Sequence, residues 1–200
     1  MSLLKANSVQ IGQSATATQN FTLSVPSSPD GTIKLARGNS GATTADVFSV
    51  NATGSLIVSK QPAFSAYLSA GQNPTNATYT KVQINTEVFD TDSCYDNATN
   101  YRFTPTVAGY YQVNFCARLS STSSPGTYVW AIYKNGSNYV ELNVNTNVST
   151  FDARTISSII SMNGSSDYIE FYAYIGGGGT LTIGGGSTTT SANAVLIKAV

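Results

Sequence analysis

The sequence predicts an all-β protein, a sandwich or barrel of short strands behind a small N-terminal β-arm. Helical periodicity is almost missing from the 200 residues. Short runs rich in Val, Ile, Thr, Tyr and Phe alternate with polar residues, and Gly, Asn, Asp and Ser separate one run from the next. This combination is typical of an antiparallel sandwich or barrel.

The first 61 residues predict a small β-domain that needs a partner surface. Its alternating runs are Asn20–Val25, Thr32–Ala36, Asp46–Val50 and Ser55–Ser59. Strict alternation in Phe21–Val25 predicts one buried apolar face and one wet face. The stretch Ser8–Gln19 is rich in small and polar residues and free of helix signals, and it is predicted to be an extended arm. A core this small supplies roughly 3–5 kcal/mol at most, so a partner or strand exchange between subunits is expected.

A denser β pattern follows the boundary that Gln61-Pro62 indicates, since proline interrupts strand pairing. Within residues 62–200, the run Tyr111–Leu119 places its apolar residues at odd positions, which predicts that these side chains face the core. Asn135-Gly136 predicts a tight hairpin. The other runs are Tyr128–Tyr133, Tyr139–Val144, Thr155–Met162, Tyr168–Ile175 and Ala194–Val200. About eight to ten strands are expected from Ala63 onwards, the number that a jelly roll requires.

The charge content excludes several classes of partner. Ten basic and ten acidic residues make up 10% of the chain and give zero net charge. No basic surface for nucleic acid and no polybasic membrane patch is therefore predicted. No secretory signal and no apolar run long enough for membrane insertion is visible. Low charge with zero net charge favours association into an assembly; the alternative is a monomer rich in hydroxyl side chains.

Little in the sequence predicts catalysis, and no cofactor is expected. The chain has no histidine, which removes Ser-His-Asp and Cys-His chemistry and the commonest metal ligand. Acidic residues cluster at Glu87, Asp90, Asp92 and Asp96. Their oxygens suit Ca²⁺, but local turn hydrogen bonds are the favoured interpretation, so no metal site is predicted. Cys116 is expected to be a buried free thiol, and a bridge between Cys94 and Cys116 stays open.

Two sets of residues allow a binding role or a purely structural one. Glycine runs flank Thr180–Ile183, a predicted short strand, and indicate either a flexible hairpin or an adaptable contact loop. The strand aromatics either form a sugar-stacking platform or fill the core or a subunit interface, and the second interpretation is favoured. They are Tyr110, Tyr111, Tyr128, Trp130, Tyr133, Tyr168, Phe171, Tyr172 and Tyr174.

Residues 63–200 resemble the C1q globular domain, a branch of the TNF-like jelly rolls. The motifs that carry the resemblance are Ala63–Ala66, Tyr95-Asp96, Phe103, Val107–Tyr111, Asn135-Gly136, and Gly164 with Asp167-Tyr168-Ile169. The chain departs from the family at Ser191–Ala194, where no aromatic precedes the last strand. The resemblance implies a C1q/TNF-like jelly-roll sandwich and a homotrimer. It also implies core or interface roles for Phe64, Tyr95, Phe103, Gly109, Tyr110, Tyr111, Phe115, Trp130 and Phe171.

The N-terminal segment resembles head modules of tailed-bacteriophage structural proteins. The matching strings are Asn7–Gln13, Gln19–Leu23, Pro29–Thr32 and Asp46-Val47. The two resemblances together imply a non-enzymatic virion protein assembled in the host cytoplasm. The expected role is a trimeric capsid decoration or cement protein bound to the major capsid protein or another virion protein. The alternative is a tail or head fibre tip that binds a host-surface glycan or receptor. The expected virion-anchoring residues are Val9, Ile11, Phe21, Leu23 and Val25.

Overall fold

A computed structural model describes residues 7–28, 30–120, 126–145, 151–177 and 180–200. Strands make up 58% of the chain and helix 2%, which confirms the all-β class. The chain divides into two compact units, Met1–Lys60 and Gln61–Val200. In the described ranges, no helix has the length and apolar character needed to cross a membrane.

The first unit is a five-stranded antiparallel sheet in which each strand pairs with the next along the chain. Its strands are β1 (Ser8–Ile11), β2 (Phe21–Ser24), β3 (Ile33–Asn39), β4 (Ala42–Val50) and β5 (Leu56–Val58). Gly41, with φ of +84°, makes the tight turn between β3 and β4. The Asn51 side chain shapes the turn before β5 by accepting hydrogen bonds from the N–H groups of Thr53 and Ser55.

The extended arm predicted for Ser8–Gln19 is wrong in its conformation. Ser8–Ile11 folds back as strand β1 on β2, and Ala17–Gln19 forms a 3-10 turn. The buried amide of Asn20 holds this return. It accepts a hydrogen bond from Ser14 N and donates to the Ser14 carbonyl and to Asn39 Oδ1. Strand pairing with β2 and the hydrogen bonds of the Asn20 side chain therefore order this stretch together.

The second unit is a sandwich of two antiparallel sheets. One sheet has the order β13-β12-β15-β10-β9, with β7 also paired to β15, and the other has the order β14-β11-β16-β6-β8. The strands are β6 (Ala63–Tyr67), β7 (Thr80–Lys81), β8 (Thr86–Asp90), β9 (Tyr95–Asp96), β10 (Arg102–Phe103), β11 (Ala108–Ser120), β12 (Thr127–Lys134), β13 (Ser137–Asn145), β14 (Phe151–Asn163), β15 (Ile169–Gly176) and β16 (Ser191–Ala199). The described residues of this unit hold eleven strands where eight to ten were predicted, because β7, β9 and β10 have two residues each and form no sequence run.

The register predicted for the central strand is confirmed. Tyr111, Val113, Phe115, Ala117 and Leu119 are all fully buried. β11 pairs with β14 over all thirteen of its residues and with β16 on its other side. The odd face of β11 therefore lies at the centre of the sandwich, and its even face looks away from the core.

Aromatic rings join the two sheets across the core. The Phe64 ring stacks on Tyr95 with centroids 4.3 Å apart and on Phe103 at 4.9 Å. The Phe115 ring lies 5.1 Å from Phe171 and meets Trp130 edge-on at 6.3 Å. Such pairs add about 0.5–1.5 kcal/mol each to the burial of their area. Aromatic packing is thus a main source of stability in the sandwich.

The predicted strand at Thr180–Ile183 is wrong. Of this run only Ile183 pairs, through isolated bridges to Gln72 and Leu119. The glycine run that follows is held firmly: Gly184 N donates to the Arg118 carbonyl, and Gly186 N donates to the Leu68 carbonyl. Residues 178 and 179 of the preceding glycine run lie outside the described residues. The run 184–186 is therefore a packed connection and does not form an adaptable contact loop.

Candidate binding surfaces

The predicted acidic cluster does not converge on a metal. Asp96 accepts the backbone N–H groups of Ala98, Thr99 and Asn100 at 2.8–3.0 Å. These bonds, that of Thr99 first, lower the pKa of Asp96 to about 2. Among the described residues, no group of three or more His, Cys, Asp or Glu side chains is arranged to hold a metal ion. The Asp96 carboxylate caps its own turn.

The two other aspartates of the cluster also bind locally. Asp90 accepts hydrogen bonds from the N–H groups of Asp92 and Tyr95 and from the Cys94 thiol. Burial, followed by the nearby Asp90 charge, raises the pKa of Cys94. Asp92 accepts a hydrogen bond from the hydroxyl of Thr106. The three carboxylates thus order the loop between β8 and β10.

Both cysteines are free thiols. Cys94 is buried, whereas Cys116 is half-buried at an even position of β11, between Thr155 of β14 and Ser191 of β16. The expectation that Cys116 is buried in the core is therefore wrong, because its position in the alternation points it away from the core. No bridge joins the two sulfurs.

The residues expected in the C1q-like core or interface fall into two groups. Phe64, Tyr95, Phe103, Gly109, Tyr111, Phe115, Trp130 and Phe171 are buried. Tyr110 lies on the opposite face of β11 and is 44% exposed. Tyr110 is therefore outside the core, and of the two expected roles only the interface role fits its position.

Gly109 lies within strand β11. A β-carbon there would collide with the Lys198 carbonyl oxygen and would lie 2.7 Å from Leu196 Cδ1. The pairing register shifts next to it, between Tyr110 and Tyr111. The residue therefore allows β16 to approach closely at a bulge.

An apolar patch covers the outer face of the β14-β11-β16 sheet. Ile159, Ile197, Tyr110 and Val195 are 57%, 53%, 44% and 40% exposed. Ile159 and Val195 lie in one cross-strand row, on either side of Gln112. These side chains project from rigid paired strands, so the patch is preformed. We call these four residues the outer patch.

The polar side chains beside the outer patch satisfy one another. Gln112 Nε2 donates to Ser157 Oγ, whose hydroxyl donates to Asn114 Oδ1 at 2.8 Å. Asn114 Nδ2 donates to Asn193 Oδ1 at 2.8 Å. A chain of neutral, mutually bonded groups can be covered by another protein surface without leaving unpaired charges.

A tyrosine cluster occupies the outer face of the other sheet. The Tyr133 and Tyr172 rings stack 4.1 Å apart, and the Tyr79 ring lies 5.9 Å from Tyr133 and 5.3 Å from Tyr174. The Tyr79 hydroxyl donates to Glu141 Oε2 at 2.8 Å. Burial, and then this bond to Glu141, raises the pKa of Tyr79 to about 12. The cluster combines ring faces with hydroxyl groups.

The sequence identified three members of the tyrosine cluster but not their arrangement. Tyr133, Tyr172 and Tyr174 belong to predicted strands, where core or interface roles were favoured. Tyr79 precedes the two-residue strand β7 and belongs to no alternating run, so pattern reasoning missed it. The sequence feature that could have pointed to Tyr79 is its position as a tyrosine in a polar loop next to a strand.

The N-terminal sheet leaves its apolar face uncovered. The pairing register places ten apolar side chains on one face, and alternation after Leu23 adds Val25 directly beyond β2. The ten are Val9, Ile11, Phe21, Leu23, Ile33, Leu35, Phe48, Val50, Leu56 and Val58. All of them are half-buried or exposed. We call this surface the apolar stem face.

Burial in strand β2 is the reverse of the prediction. Thr22, on the polar side of the alternation, is 2% exposed and donates its hydroxyl to the Gly38 carbonyl. Phe21, Leu23 and Val25 are half-buried, and Val9 and Ile11 are exposed. All five expected anchor residues thus share the apolar stem face, and Val9, Leu23 and Val25 line a shallow groove on it.

Solved structures similar to the chain share its jelly roll. The chain is similar to murine APRIL, with a TM-score of 0.53 and 8% identity, over 69% of this chain and 100% of that chain. It is similar to the globular domain of zebrafish complement 1qA, with a TM-score of 0.50 and 19% identity, over 70% and 99% of the two chains. It is also similar to PRD1 vertex protein P5, with a TM-score of 0.51 and 18% identity, over 68% and 97%. No protein-family model matches the chain, and no curated protein matches its sequence.

The chain therefore contains a jelly roll of the C1q/TNF type, as the resemblance of residues 63–200 predicted. Identities below one fifth show the fold alone. Function has to be argued from the surfaces themselves.

Proposed function

We propose that the protein is a non-enzymatic, homotrimeric virion component that decorates and cements a phage head shell. The observation that carries the proposal is that each unit leaves one apolar sheet face exposed. Uncovered apolar faces rimmed by polar groups mark protein contact surfaces. One structural neighbour is named a vertex protein, which supports a position in a virion.

The trimer contact of the jelly roll is the outer patch. Tyr110, Ile159, Val195 and Ile197 supply apolar area, and the neutral chain from Gln112 to Asn193 is already hydrogen-bonded. Closed three-fold symmetry buries such a patch on every copy without leaving a growing end. The low charge content of the chain is consistent with that burial.

Attachment to the shell belongs to the N-terminal unit, with its predicted anchor residues Val9, Ile11, Phe21, Leu23 and Val25. The sheet ends in β1 on one side and in β5 on the other. An edge strand presents unpaired N–H and C=O groups, to which a shell protein adds a strand or a loop. The proposed partner is the major capsid protein or another virion protein.

Labelling of intact virions with an antibody raised against residues 63–200 tests the proposal. Label spread over the head supports decoration, and label confined to the tail contradicts it. Particles assembled without the protein provide a second test. Purified full-length protein is expected to bind such particles and raise the temperature at which they release their contents, and failure to bind contradicts the cement role.

A fibre tip that binds a host-surface glycan is the second candidate, and the tyrosine cluster favours it. Tyrosine ring faces stack on sugars, and the Glu141 carboxylate beside Tyr79 is a hydrogen-bond acceptor. Binding of the full-length protein to an array of host-surface glycans is the measurement. Tyr79→Ala should abolish the signal, and Tyr139→Ala, at an exposed tyrosine outside the cluster, should leave it unchanged.

A further inference from the structure

We propose that the apolar stem face is covered, in the free protein, by the same face of two further copies. Three N-terminal sheets would then form a three-sided stem around the three-fold axis, with their apolar faces inside. The inference rests on the trimer of the proposed function and goes beyond it, because it assigns part of the trimer contact to residues 7–60. It moves the five predicted anchor residues from the shell contact to the trimer contact and leaves shell attachment to other parts of the N-terminal unit.

The side chains of the apolar stem face form continuous rows. One row crosses all five strands and consists of Val9, Leu23, Leu35, Phe48 and Val58. A second row consists of Ile33, Val50 and Leu56. Val9, Leu56 and Val58 are 40%, 64% and 46% exposed. The surface is therefore continuous and apolar.

The unit has almost no core of its own. Among its described residues, Ala36 is the one buried apolar side chain, and Asn20 and Thr22 are buried polar ones. A sheet with one apolar face is stable only when that face packs against another layer. Since a virion protein must fold before it meets its shell, the cover has to exist in the free protein. This requirement favours further copies of the chain over a shell surface.

The area of the apolar stem face also favours further copies of the chain as its cover. Five strands spaced about 4.8 Å apart, with about five residues each of about 3.3 Å, give a face of about 400 Å² in projection. A stable interface between separate proteins buries about 800 Å² on each partner. The apolar stem face is too small to hold a separate partner alone. Copies that the jelly rolls already hold together meet at high effective concentration, where a small face suffices.

The distribution of charge allows this contact. The charged pair Lys34 and Asp46 lies on the opposite face, joined at 3.1 Å and exposed to solvent. Arg37 lies at one end of the apolar stem face, opposite Phe21, and is exposed. Closing three such faces together buries no ion pair. The shell contact then falls to the strand edges and to the outward face of the stem.

Cysteine variants of the full-length protein test the inference. Leu35→Cys lies at the centre of the longest row, and Lys34→Cys, its neighbour on the opposite face, is the matched control. Mild oxidation of the Leu35→Cys variant should give disulfide-linked dimers on a non-reducing gel. Because a trimer has three chains and a disulfide joins two, about one third of the chains should run as monomers. Lys34→Cys and the parent chain, which carries Cys94 and Cys116 alone, should stay monomeric on the gel.

Labelling with a bulky maleimide gives an independent measurement. The cysteines of Leu35→Cys and of a further variant, Val58→Cys, should react with the maleimide at least tenfold more slowly than the cysteine of Lys34→Cys. A trimeric mass with equal reactivity at the three positions and no cross-link overturns the inference and leaves the proposed function standing. A monomeric mass overturns both. If positions 35 and 58 react fast in the free protein but slowly on virions, the shell covers the apolar stem face. That result also overturns the inference.

Discussion

Lys81 and Glu170 form an ion pair whose two charges differ in exposure. Lys81 Nζ lies 2.5 Å from Glu170 Oε1, and the two side chains are 30% and 7% exposed. Lys81 lies on the two-residue strand β7, which pairs with β15 at Tyr172 and Ala173. The same ammonium group donates to the Asn100 carbonyl at 3.1 Å. The pair therefore joins β7 and the loop before β10 to β15.

Removal of one partner of this pair should cost more than removal of both. Lys81→Met leaves the Glu170 carboxylate buried without its counter-charge, and a loss of about 3–5 kcal/mol in the free energy of unfolding is expected. The double variant Lys81→Met with Glu170→Gln should recover part of this loss. Urea unfolding of both variants and of Glu170→Gln completes the cycle, and additive losses would contradict a direct interaction.

Truncation of Phe115 should destabilise the sandwich strongly. Its ring is fully buried between Trp130 and Phe171, so Phe115→Ala leaves a cavity and should cost about 3–5 kcal/mol. Arg118→Ala, at an even position of the same strand, should cost less than half as much. Thermal melts at one fixed protein concentration make the comparison, and equal losses would show that the core register is misassigned.

A charge in the outer patch should break the trimer. Ile159→Asp places a carboxylate in the centre of an apolar contact, where an unpaired charge is costly to bury. Light scattering should give about three times the chain mass of 21.0 kDa for the parent and about one chain mass for the variant. Tyr139→Asp, 49% exposed on the other sheet, is the matched control and should stay trimeric. A trimeric Ile159→Asp would show that the trimer does not depend on the outer patch.

Acid should remove a contribution to stability that depends on Asp96. The folded protein lowers the pKa of this carboxyl from 3.8 to about 2, so below the unfolded value the unfolded chain binds more protons than the folded one. The stabilisation is present above pH 3.8 and is lost as the pH falls towards 2. The difference in stability between the parent and Asp96→Ala should be constant at neutral pH and should shrink across this window. A difference that does not change with pH would argue against a charge effect.

A β-carbon at position 109 should weaken the contact between β11 and β16. Gly109→Ala meets the Lys198 carbonyl oxygen and Leu196, and a loss of roughly 1–3 kcal/mol is expected from overpacking. Gly126→Ala is the control, since a β-carbon there lies 3.7 Å from the Gly176 oxygen, an ordinary contact. Denaturant unfolding of the two variants should separate them, and equal stability would mean that β16 can shift to accommodate the methyl group.

Alternation predicted those parts of the fold that depend on which side chains share a face. The odd residues of Tyr111–Leu119 are buried because a regular strand turns successive side chains to opposite faces. The same rule grouped Phe21, Leu23 and Val25 correctly. It did not reveal that their face is open while Thr22 is buried, since the cover of a face depends on residues far away in the chain or in another copy.

The rest of the candidate surfaces depends on contacts that have no periodicity. Strands β7 and β10 are set by their pairing with the distant strand β15, and β9 is set by its pairing with β10. None of the three forms a run of residues. Tyr79 enters the tyrosine cluster from a loop, through its contacts with Tyr133 and Tyr174. Asn20 orders the stretch before it by three hydrogen bonds. These side chains contact residues that are close in space but distant in the sequence, and a single sequence does not show such contacts.

The position of β16 between β11 and β6 has a consequence for the order in which the protein folds. The sheet of β14, β11, β16, β6 and β8 stays split until residues 191–199 have been synthesised, because β6 pairs with β16 and not with β11. The N-terminal meander pairs neighbours along the chain and can form early, since local pairings close short loops and form fastest. During translation each ribosome would therefore carry a half-built jelly roll with an exposed interior. Because Val195 and Ile197 of the outer patch belong to β16, subunits could meet through that patch only after the last residues of the chain have been synthesised.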